Sequence, residues 1–350
     1  MNLGEKVKNV FSGFILGVVL FLASFLILWN NEANYVENLR KADFIQKNVI
    51  SITNYNPANN LKLVHYTGSV TTNDNVSDDF VTINTPVIER KVEMYQWDES
   101  CSTSGSGSSK RRSCNYTKEW KDREINSDYF EQGGHRNPRM TIKSDTFYAE
   151  NVSLGEFKLD KTLIEDLSAN SSFSNLPKKS GYQTVSGFYF SGTNYSNPEI
   201  GDYRISYKYL PINSPVSVIS SQYNKMLYEF KNKKYTVGLL YNGIHTAKEM
   251  VKMFKDDAKM LVFLLRFVGF IFMAIGISLI LSPLSKIFSF IPVIGEIAER
   301  LTIFAATIIA LALTLITIAI AWIAVRPLLS IPLIIISAVL IILVFKKNRK

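Results

Sequence analysis

The 350-residue sequence has few of the residues from which enzymes most often build active sites. It contains two cysteines and three histidines, and His65, His135 and His245 lack the spacing of metal ligands, although folding could bring them together. No GxSxG elbow, HExxH pair, phosphate-binding loop or GxGxxG sequence occurs. The neighbouring carboxylates Asp98 and Glu99 lie in a predicted strand, where adjacent side chains point to opposite faces. We therefore predict a non-enzymatic protein with no cofactor and no bound metal.

Positive charge exceeds negative charge, and the formal net charge is +9 at pH 7. The lysines and arginines are spread along the chain. They form no arginine-rich stripe with interleaved aromatic residues, which is the pattern typical of nucleic-acid-binding surfaces. The sequence therefore predicts that nucleic acid is not a partner. Many of the basic residues instead flank long apolar runs, where lysine and arginine orient a membrane protein.

Four apolar runs are long enough to cross a membrane. About 20 helical residues, each rising about 1.5 Å, span a hydrocarbon core of about 30 Å. The predicted spans are residues 10–28, 260–281, 301–325 and 327–345. The first begins with basic residues, as a signal peptide does, but its apolar stretch is long and no A-x-A-like site precedes WNNEAN. We favour a retained anchor over a cleaved signal peptide.

The distribution of lysine and arginine around these runs predicts the orientation of the chain. It places both termini in the cytoplasm and residues 29–259 on the other side of the membrane. The predicted cytoplasmic segments are residues 1–9, 282–300 and 346–350. Four lysines at the end of the outer domain oppose this orientation: Lys248, Lys252, Lys255 and Lys259. Long domains cross the membrane largely regardless of their charge, so we give these lysines less weight.

The segment between the second and third spans, SPLSKIFSFIPVIGEIAER, is apolar and contains two prolines. Leu284, Ile287, Phe288 and Ile291 recur at helical spacing, which predicts a helix lying in the inner interface. A re-entrant segment is the alternative.

Arg266 is the only ionisable residue within a predicted span. Such a residue is a functional candidate, because burying a charge in the membrane is costly. It lies about 9 Å below the outer end of its span by helix rise, so we expect its long side chain to extend back to the membrane surface. The predicted spans contain no Asp, Glu or His, which disfavours a proton-coupled transporter.

Small residues recur at four-residue intervals in two of the predicted spans. Gly13 and Gly17 form a GxxxG pair, and Ala306 and Ala310 have the same spacing. Because small residues let helices approach closely, we predict that these four positions take part in helix packing.

The outer domain alternates β-branched or aromatic residues with polar ones in several short segments separated by Gly, Asn and Pro clusters. This pattern predicts a mostly-β sandwich or barrel-like domain. Residues 160–170 fit a short helix with Asp160 as its cap, and residues 29–45 and 246–259 fit helices flanking the domain. The predicted fold class is thus a membrane α-helical bundle of four spans plus a large mostly-β extracytoplasmic domain.

Two local features of the outer domain are predicted to be structural. Cys101 and Cys114 bracket a serine- and glycine-rich stretch, which favours a disulfide closing a hairpin tip over two free thiols. The sequence GGHRNP predicts a turn, because paired glycines permit positive φ and Asn-Pro favours turn initiation. We expect the histidine of this turn to hydrogen-bond within it. The turn residues are Gly133, Gly134, His135, Asn137 and Pro138.

The order of the apolar runs and of several short segments resembles the LUMA family, also called transmembrane protein 43, over most of the chain. The segments are LVHYTGSV (63–70), KVEMYQW (91–97), YTKEW (116–120), INSDYF (125–130), GGHRNP (133–138), GDYRISY (201–207) and VRPLL (325–329). The Ser/Gly insertion between the cysteines departs from the family. The resemblance implies a four-span protein of the endoplasmic reticulum and inner nuclear membrane in eukaryotes, which self-associates and organises envelope partners such as emerin and lamins. In a bacterial member, which the Asn, Lys and Ile richness would suit, the membrane would be the plasma (inner) membrane, and the nuclear partners would not carry over. The family offers no catalytic residues to transfer.

The leading hypothesis is a self-associating membrane organiser or scaffold, with membrane lipid, further copies of the chain and unidentified envelope or membrane proteins as partners. One alternative is a channel or channel accessory subunit, which would need polar groups lining a pore. The other is an enzyme acting on lipid or envelope polymer, which would need a convergent polar cleft in the outer domain.

Overall fold

The computed structural model describes residues 3–104, 111–287, 292–323 and 327–347. These residues form two compact units, a helical unit from the two ends of the chain and a β unit from its middle, with boundaries after Phe44 and after Val251. Several predicted features lie wholly or partly outside the described residues. They are residues 105–110 between the cysteines, residues 288–291 of the inner segment, residues 324–326, and the ends of the two predicted tails (1–2 and 348–350).

Four long helices and one short helix are described. They are α1 (Leu3–Asn48), α2 (Lys161–Glu165), α3 (Ala247–Ile287), α4 (Pro292–Ile323) and α5 (Pro327–Lys347). Three of them are long and apolar enough to cross a membrane, over Phe11–Asn48, Ala247–Pro283 and Leu301–Ile323. Among the described residues, the apolar stretch of α5 is shorter, Ser330–Ile342. The described parts of the segment predicted to lie in the inner interface continue α3 and begin α4.

The first helix runs well past the end of its predicted span. The polar sequence WNNEAN suggests that the apolar run stops at Leu28, but buried side chains continue along α1 at helical spacing, including Glu32, Val36 and Ala42. Burial of one face stabilises this continuation of α1, because packing supplies most helical stability. The predicted helical extension over residues 29–45 is confirmed, as is the helix before the second apolar run, where α3 begins at Ala247.

The strands of the β unit are short, apart from one long hairpin. They are β1 (Ile50–Ser51), β2 (Leu63–Thr71), β3 (Asn75–Ser77), β4 (Thr82–Asn84), β5 (Val87–Ser104), β6 (Arg111–Lys121), β7 (Asp145–Tyr148), β8 (Ser153–Leu154), β9 (Phe157–Leu159), β10 (Ser171–Ser172), β11 (Gln183–Val185), β12 (Phe188–Phe190), β13 (Tyr203–Tyr209), β14 (Pro215–Tyr223), β15 (Met226–Tyr228), β16 (Phe230–Lys231), β17 (Thr236–Val237) and β18 (Leu239–Asn242).

Two seven-stranded sheets organise the β unit. The first has the order β1-β2-β8-β9-β15-β14-β18, and β2 also pairs with β14, so that β2, β8, β9, β15 and β14 form a closed ring. The second has the order β11-β12-β13-β5-β6, with β10 beside β13 and β7 beside β5. The prediction of a mostly-β domain is therefore confirmed, and the closed ring accounts for its barrel-like character.

Buried side chains from both sheets form one continuous core. Val64 and Tyr66 of β2, Val92 of β5 and Ile205 of β13 all belong to it. Tyr66 packs edge-on against Phe157, with ring centroids 4.8 Å apart. The short helix α2 contributes two buried residues to the same core, and its predicted cap is confirmed, since the Asp160 side chain accepts a hydrogen bond from the Leu163 backbone N–H at 3.1 Å.

Candidate functional site

A buried ion pair joins two helices of the helical unit. The Arg266 guanidinium of α3 donates from Nε to Glu32 Oε1 at 2.6 Å and from Nη2 to Glu32 Oε2 at 2.7 Å. A third donor comes from α4, where Trp322 Nε1 lies 2.7 Å from Glu32 Oε2. The Glu32 side chain is fully buried, at 0% exposure. We call these three residues the charge clasp. Its bidentate geometry is the strongest form of an arginine–carboxylate interaction.

The expectation for Arg266 rested on its depth in the predicted span and did not include this ion pair with Glu32. The predicted first span ended at Leu28, so Glu32 lay outside it. The continued helix places Glu32 one turn beyond Leu28, on the same face of α1. A Cβ at Gly269 would lie 2.7 Å from the Leu28 side chain, so the same face of α1 meets α3 at Gly269 and one turn away at Arg266. The spacing of Leu28 and Glu32 is the sequence signal that could have revealed the pair.

The two glycines of α1 that were predicted to take part in helix packing have different surroundings, since Gly17 is closely packed and Gly13 is not. A Cβ at Gly17 would lie 2.9 Å from the Gly276 carbonyl oxygen, and a Cβ at Gly276 would lie 2.9 Å from the Gly17 carbonyl oxygen. This close approach within one chain requires glycine at both positions, and the role of Gly276 was not predicted from the sequence. A Cβ at Gly13 would meet nothing within 4 Å. The predicted pair Ala306 and Ala310 is fully buried in the core of the helical unit.

In the β unit, the predicted disulfide is present at a paired position of the β5–β6 hairpin. Cys101 and Cys114 are directly opposite each other, their Cα atoms are 4.0 Å apart, and their sulfurs are bonded. Glu99 is close enough to both sulfurs to suggest a metal-binding group. Because the sulfurs are bonded to each other, neither is available as a thiolate ligand.

The predicted turn around His135 packs against the same hairpin. The His135 ring stacks on Tyr116, with centroids 3.9 Å apart and planes 5° apart, and meets the edge of Trp97 at 4.6 Å. We expected His135 to hydrogen-bond within the turn, but its Nδ1 is buried without a partner among the described residues. Gly134 has a φ of +92°, as the turn prediction requires. The histidine is thus held by aromatic stacking.

The Asn137 side chain extends the sheet beside β5, just past the first residue of β13, Tyr203, which pairs with Met94. Its Oδ1 accepts from the Trp97 N–H at 2.7 Å, and its Nδ2 donates to the Trp97 carbonyl at 2.9 Å and the Ile125 carbonyl at 3.3 Å. The carboxamide therefore supplies β5 with the donor and acceptor that a neighbouring strand would supply. Glu99 makes a second connection between the hairpin and the segment that leads into the turn. Its carboxylate accepts a hydrogen bond from Tyr116 Oη at 2.5 Å and one from the Glu131 backbone N–H at 2.7 Å. These bonds, the tyrosine's first, hold the pKa of Glu99 below its ordinary value.

Asn137→Asp is expected to destabilise this region by about 1–3 kcal/mol, because the variant loses both N–H donors and places a carboxylate against two carbonyl oxygens. Denaturant unfolding of the full chain, followed by tryptophan fluorescence, measures the change. Asn73→Asp is the matched control, since Asn73 is exposed and gains the same charge. Equal unfolding free energies for the two variants would show that the Asn137 carboxamide does not support the hairpin.

A buried polar cluster centred on Asp78 was not predicted from the sequence. Oδ1 of Asp78 accepts from the backbone N–H groups of Phe80 and Val81, each at 2.8 Å. Oδ2 accepts from Arg90 Nη1 at 2.8 Å and from Tyr207 Oη at 2.7 Å. Burial, and then the bond to Asp78, raise the pKa of Tyr207 far above its ordinary value. The phenol therefore remains a neutral donor at all physiological pH values. Local sequence patterns do not reveal this cluster, because Arg90 lies 12 residues and Tyr207 lies 129 residues from Asp78.

These features define a class of protein, a membrane protein whose chain ends form an apolar helical unit and whose middle forms a β unit with paired seven-stranded sheets. The model of the family "Transmembrane protein 43" matches residues 94–327, and the chain belongs to that family. The matched range includes the hairpin, the turn, Arg266 and Trp322.

Relatives match beyond the range of the family model. The chain is 28% identical to transmembrane protein 43 of Pongo abelii over 99% of this chain and 92% of that protein. It is 28% identical to the Mus musculus protein of the same name, over 84% of this chain and 80% of that one. It is 24% identical to the Drosophila melanogaster homolog, over 96% and 95% of the two chains. None of these names describes an enzymatic activity. No solved structure matches the chain.

Proposed function

We propose that this protein is a non-enzymatic membrane organiser that assembles with further copies of itself through its helical unit. The observation that carries the proposal is the surface of α5. Four β-branched residues at intervals of three or four form one side of this helix and are half exposed or more: Ile331 (55%), Ile335 (58%), Val339 (50%) and Ile342 (60%). We call this side the α5 ridge.

The opposite side of α5 is already covered. Ser330 and Ser337 are buried, at 1% and 0% exposure, and α5 packs against α4. In a membrane, lipid covers apolar surface as well as protein does, so association depends on close van der Waals packing between helices. A regular ridge of β-branched side chains with few accessible rotamers supports such packing, because little conformational entropy is lost on contact.

Gly13 on α1 offers a second contact point. Its GxxxG partner Gly17 is used within the chain, whereas Gly13 has open space beside it. A helix from another copy could therefore approach α1 closely at this position. The proposal also includes α5 as a fourth span, cytoplasmic termini and an extracytoplasmic β unit, because the basic residues outside the first and last apolar runs favour that orientation.

Mass photometry of the full chain in lipid nanodiscs tests the proposal. We expect a multimer for the unaltered protein and a smaller species, down to the monomer, for the double variant Ile335→Ala/Val339→Ala, which flattens the α5 ridge. Gly13→Leu is expected to reduce the size as well, because it fills the open space on α1.

Ile336→Ala is the matched control, since Ile336 is similarly exposed, at 49%, but lies outside the ridge. It should leave the multimer unchanged. Bulky replacements at Gly17, Ala306 or Ala310 are unsuitable for this test, because those positions are buried within the chain and the variants would misfold. An unaltered protein that is monomeric in every lipid composition would rule out self-assembly.

A further inference from the structure

Four lysines near the start of α3 have no part in the charge clasp or in the proposed self-assembly. Lys248, Lys252, Lys255 and Lys259 follow one another at intervals of three or four residues, so they share one face of the helix. Like charges at this spacing destabilise a helix by about 0.2–0.5 kcal/mol per pair. The same lysines also oppose the charge distribution that orients the chain. The spacing and the position of these lysines both cost stability unless another group compensates their charge.

The described part of the chain neutralises only some of this charge. Lys255 Nζ lies 2.9 Å from Asp43 Oδ1 of α1. Lys252 and Lys259 are exposed, and neither forms an ion pair with any described residue. Asp256 lies between them in sequence and is also exposed, but within the described ranges it pairs with neither. Lys252 and Lys259, two helical turns apart, therefore both face outward from the helix.

An exposed aromatic surface continues directly from these lysines. Phe263 follows Lys259 by one turn and Phe267 follows by two, on the same side of α3, and they are 68% and 60% exposed. The rise of an α-helix places Phe267 about 12 Å beyond Lys259 along the axis. Met260, at 73% exposure, begins the run of exposed apolar side chains. The lysines thus lie at the border where the surface of α3 changes from polar to apolar.

We propose that Lys252, Lys259, Phe263 and Phe267 bind an anionic phospholipid of the surrounding bilayer. The headgroup phosphate contacts the two lysines and an acyl chain lies along the two phenylalanines. A zwitterionic lipid is a weaker ligand, because its own cation cancels the charge that the lysines attract. Free phosphate is a weaker ligand, because it leaves the aromatic surface unused. The proposal does not rest on self-assembly, since all four residues belong to one helix of one chain.

Native mass spectrometry of the full chain, released from nanodiscs of equal parts phosphatidylglycerol and phosphatidylcholine, tests this site. We expect the protein to retain phosphatidylglycerol preferentially. Each lysine near an anionic surface contributes about 1 kcal/mol, so Lys252→Gln/Lys259→Gln should weaken retention roughly 30-fold. Phe263→Ala/Phe267→Ala should weaken it too, and Lys252→Arg/Lys259→Arg should keep it.

Lys178→Gln/Lys233→Gln is the matched control, because it removes two exposed lysines of the β unit and the same total charge. It should retain phosphatidylglycerol as the unaltered protein does. Equal retention of both lipids by the unaltered protein would overturn the proposal, and so would unchanged retention in the glutamine variant. Displacement of the lipid by millimolar inorganic phosphate would also overturn it, in favour of a simple phosphate site. Mass photometry of the glutamine variant should show the same multimer as the unaltered protein. Weaker lipid retention with an unchanged multimer would separate the lipid site from self-assembly.

Discussion

Arg266→Met is expected to destabilise the helical unit by about 3–5 kcal/mol, the cost of leaving a buried carboxylate without its charged partner. Glu32 is fully buried, and among the donors of the described residues it would keep only the Trp322 N–H. The double variant Glu32→Met/Arg266→Met should recover most of the loss, because replacing both charges with apolar side chains of similar volume is often nearly neutral. Equilibrium unfolding of the full chain in mixed micelles provides the measurement.

Arg40→Met is the control for this comparison. Arg40 also pairs with a glutamate, at 3.8 Å from Glu37, but both side chains are nearly half exposed. An exposed pair on one helix contributes about 0.3–0.5 kcal/mol. If Arg266→Met were no more destabilising than Arg40→Met, the charge clasp would not be a determinant of helix packing. If the double variant were as unstable as Arg266→Met, the loss would come from the arginine side chain's packing and not from the unpaired charge.

Asp78→Ala is expected to destabilise the β unit by a similar amount, about 3–5 kcal/mol, because it breaks a buried ion pair and its network. The substitution removes the acceptor of four hydrogen bonds, two from backbone N–H groups and one each from Arg90 and Tyr207. The Asp78 side chain is 1% exposed and that of Arg90 is 10% exposed, so water replaces few of these bonds. Denaturant unfolding followed by far-ultraviolet circular dichroism of the strands measures the effect.

Asp79→Ala is the matched control. Asp79 is the next residue and is exposed, and its contact with Lys179 is made by its backbone carbonyl, which the substitution keeps. A change within about 0.5 kcal/mol is expected there. Comparable losses at Asp78 and Asp79 would mean that the buried network does not stabilise the domain.

The features that were predictable from sequence are those set by local physical rules. Membrane thickness fixes the length of an apolar helix, which is why the runs around residues 11–28 and 301–323 indicated helices correctly. Asp160 was recognisable as a cap because the capping bond reaches only three residues ahead, to Leu163. The pairing of Cys101 with Cys114 was recognisable because the two cysteines are only 13 positions apart in the sequence.

The missed features depend on contacts between distant segments. Glu32 and Arg266 are 234 residues apart, and their pairing follows from how α1 packs on α3. Gly276 is important because of the helix that it faces and not because of its own neighbours in sequence. Asn137 was assigned to the right turn, but its role requires knowing that the pairing of β13 with β5 stops at Met94 and leaves Trp97 without a neighbouring strand on that side. Periodicity describes a single element, and these contacts exist only after several elements have packed.

The 234-residue separation within the charge clasp also has a consequence for biosynthesis. At about 5–20 residues per second, the ribosome makes Glu32 roughly 12–47 s before Arg266. During that interval the nascent first helix carries an acidic group whose arginine has not yet been synthesised, and the tryptophan is made later still. Until then water or an insertion factor must satisfy the carboxylate. A chain terminated before Arg266 would therefore leave the Glu32 carboxylate permanently without its arginine.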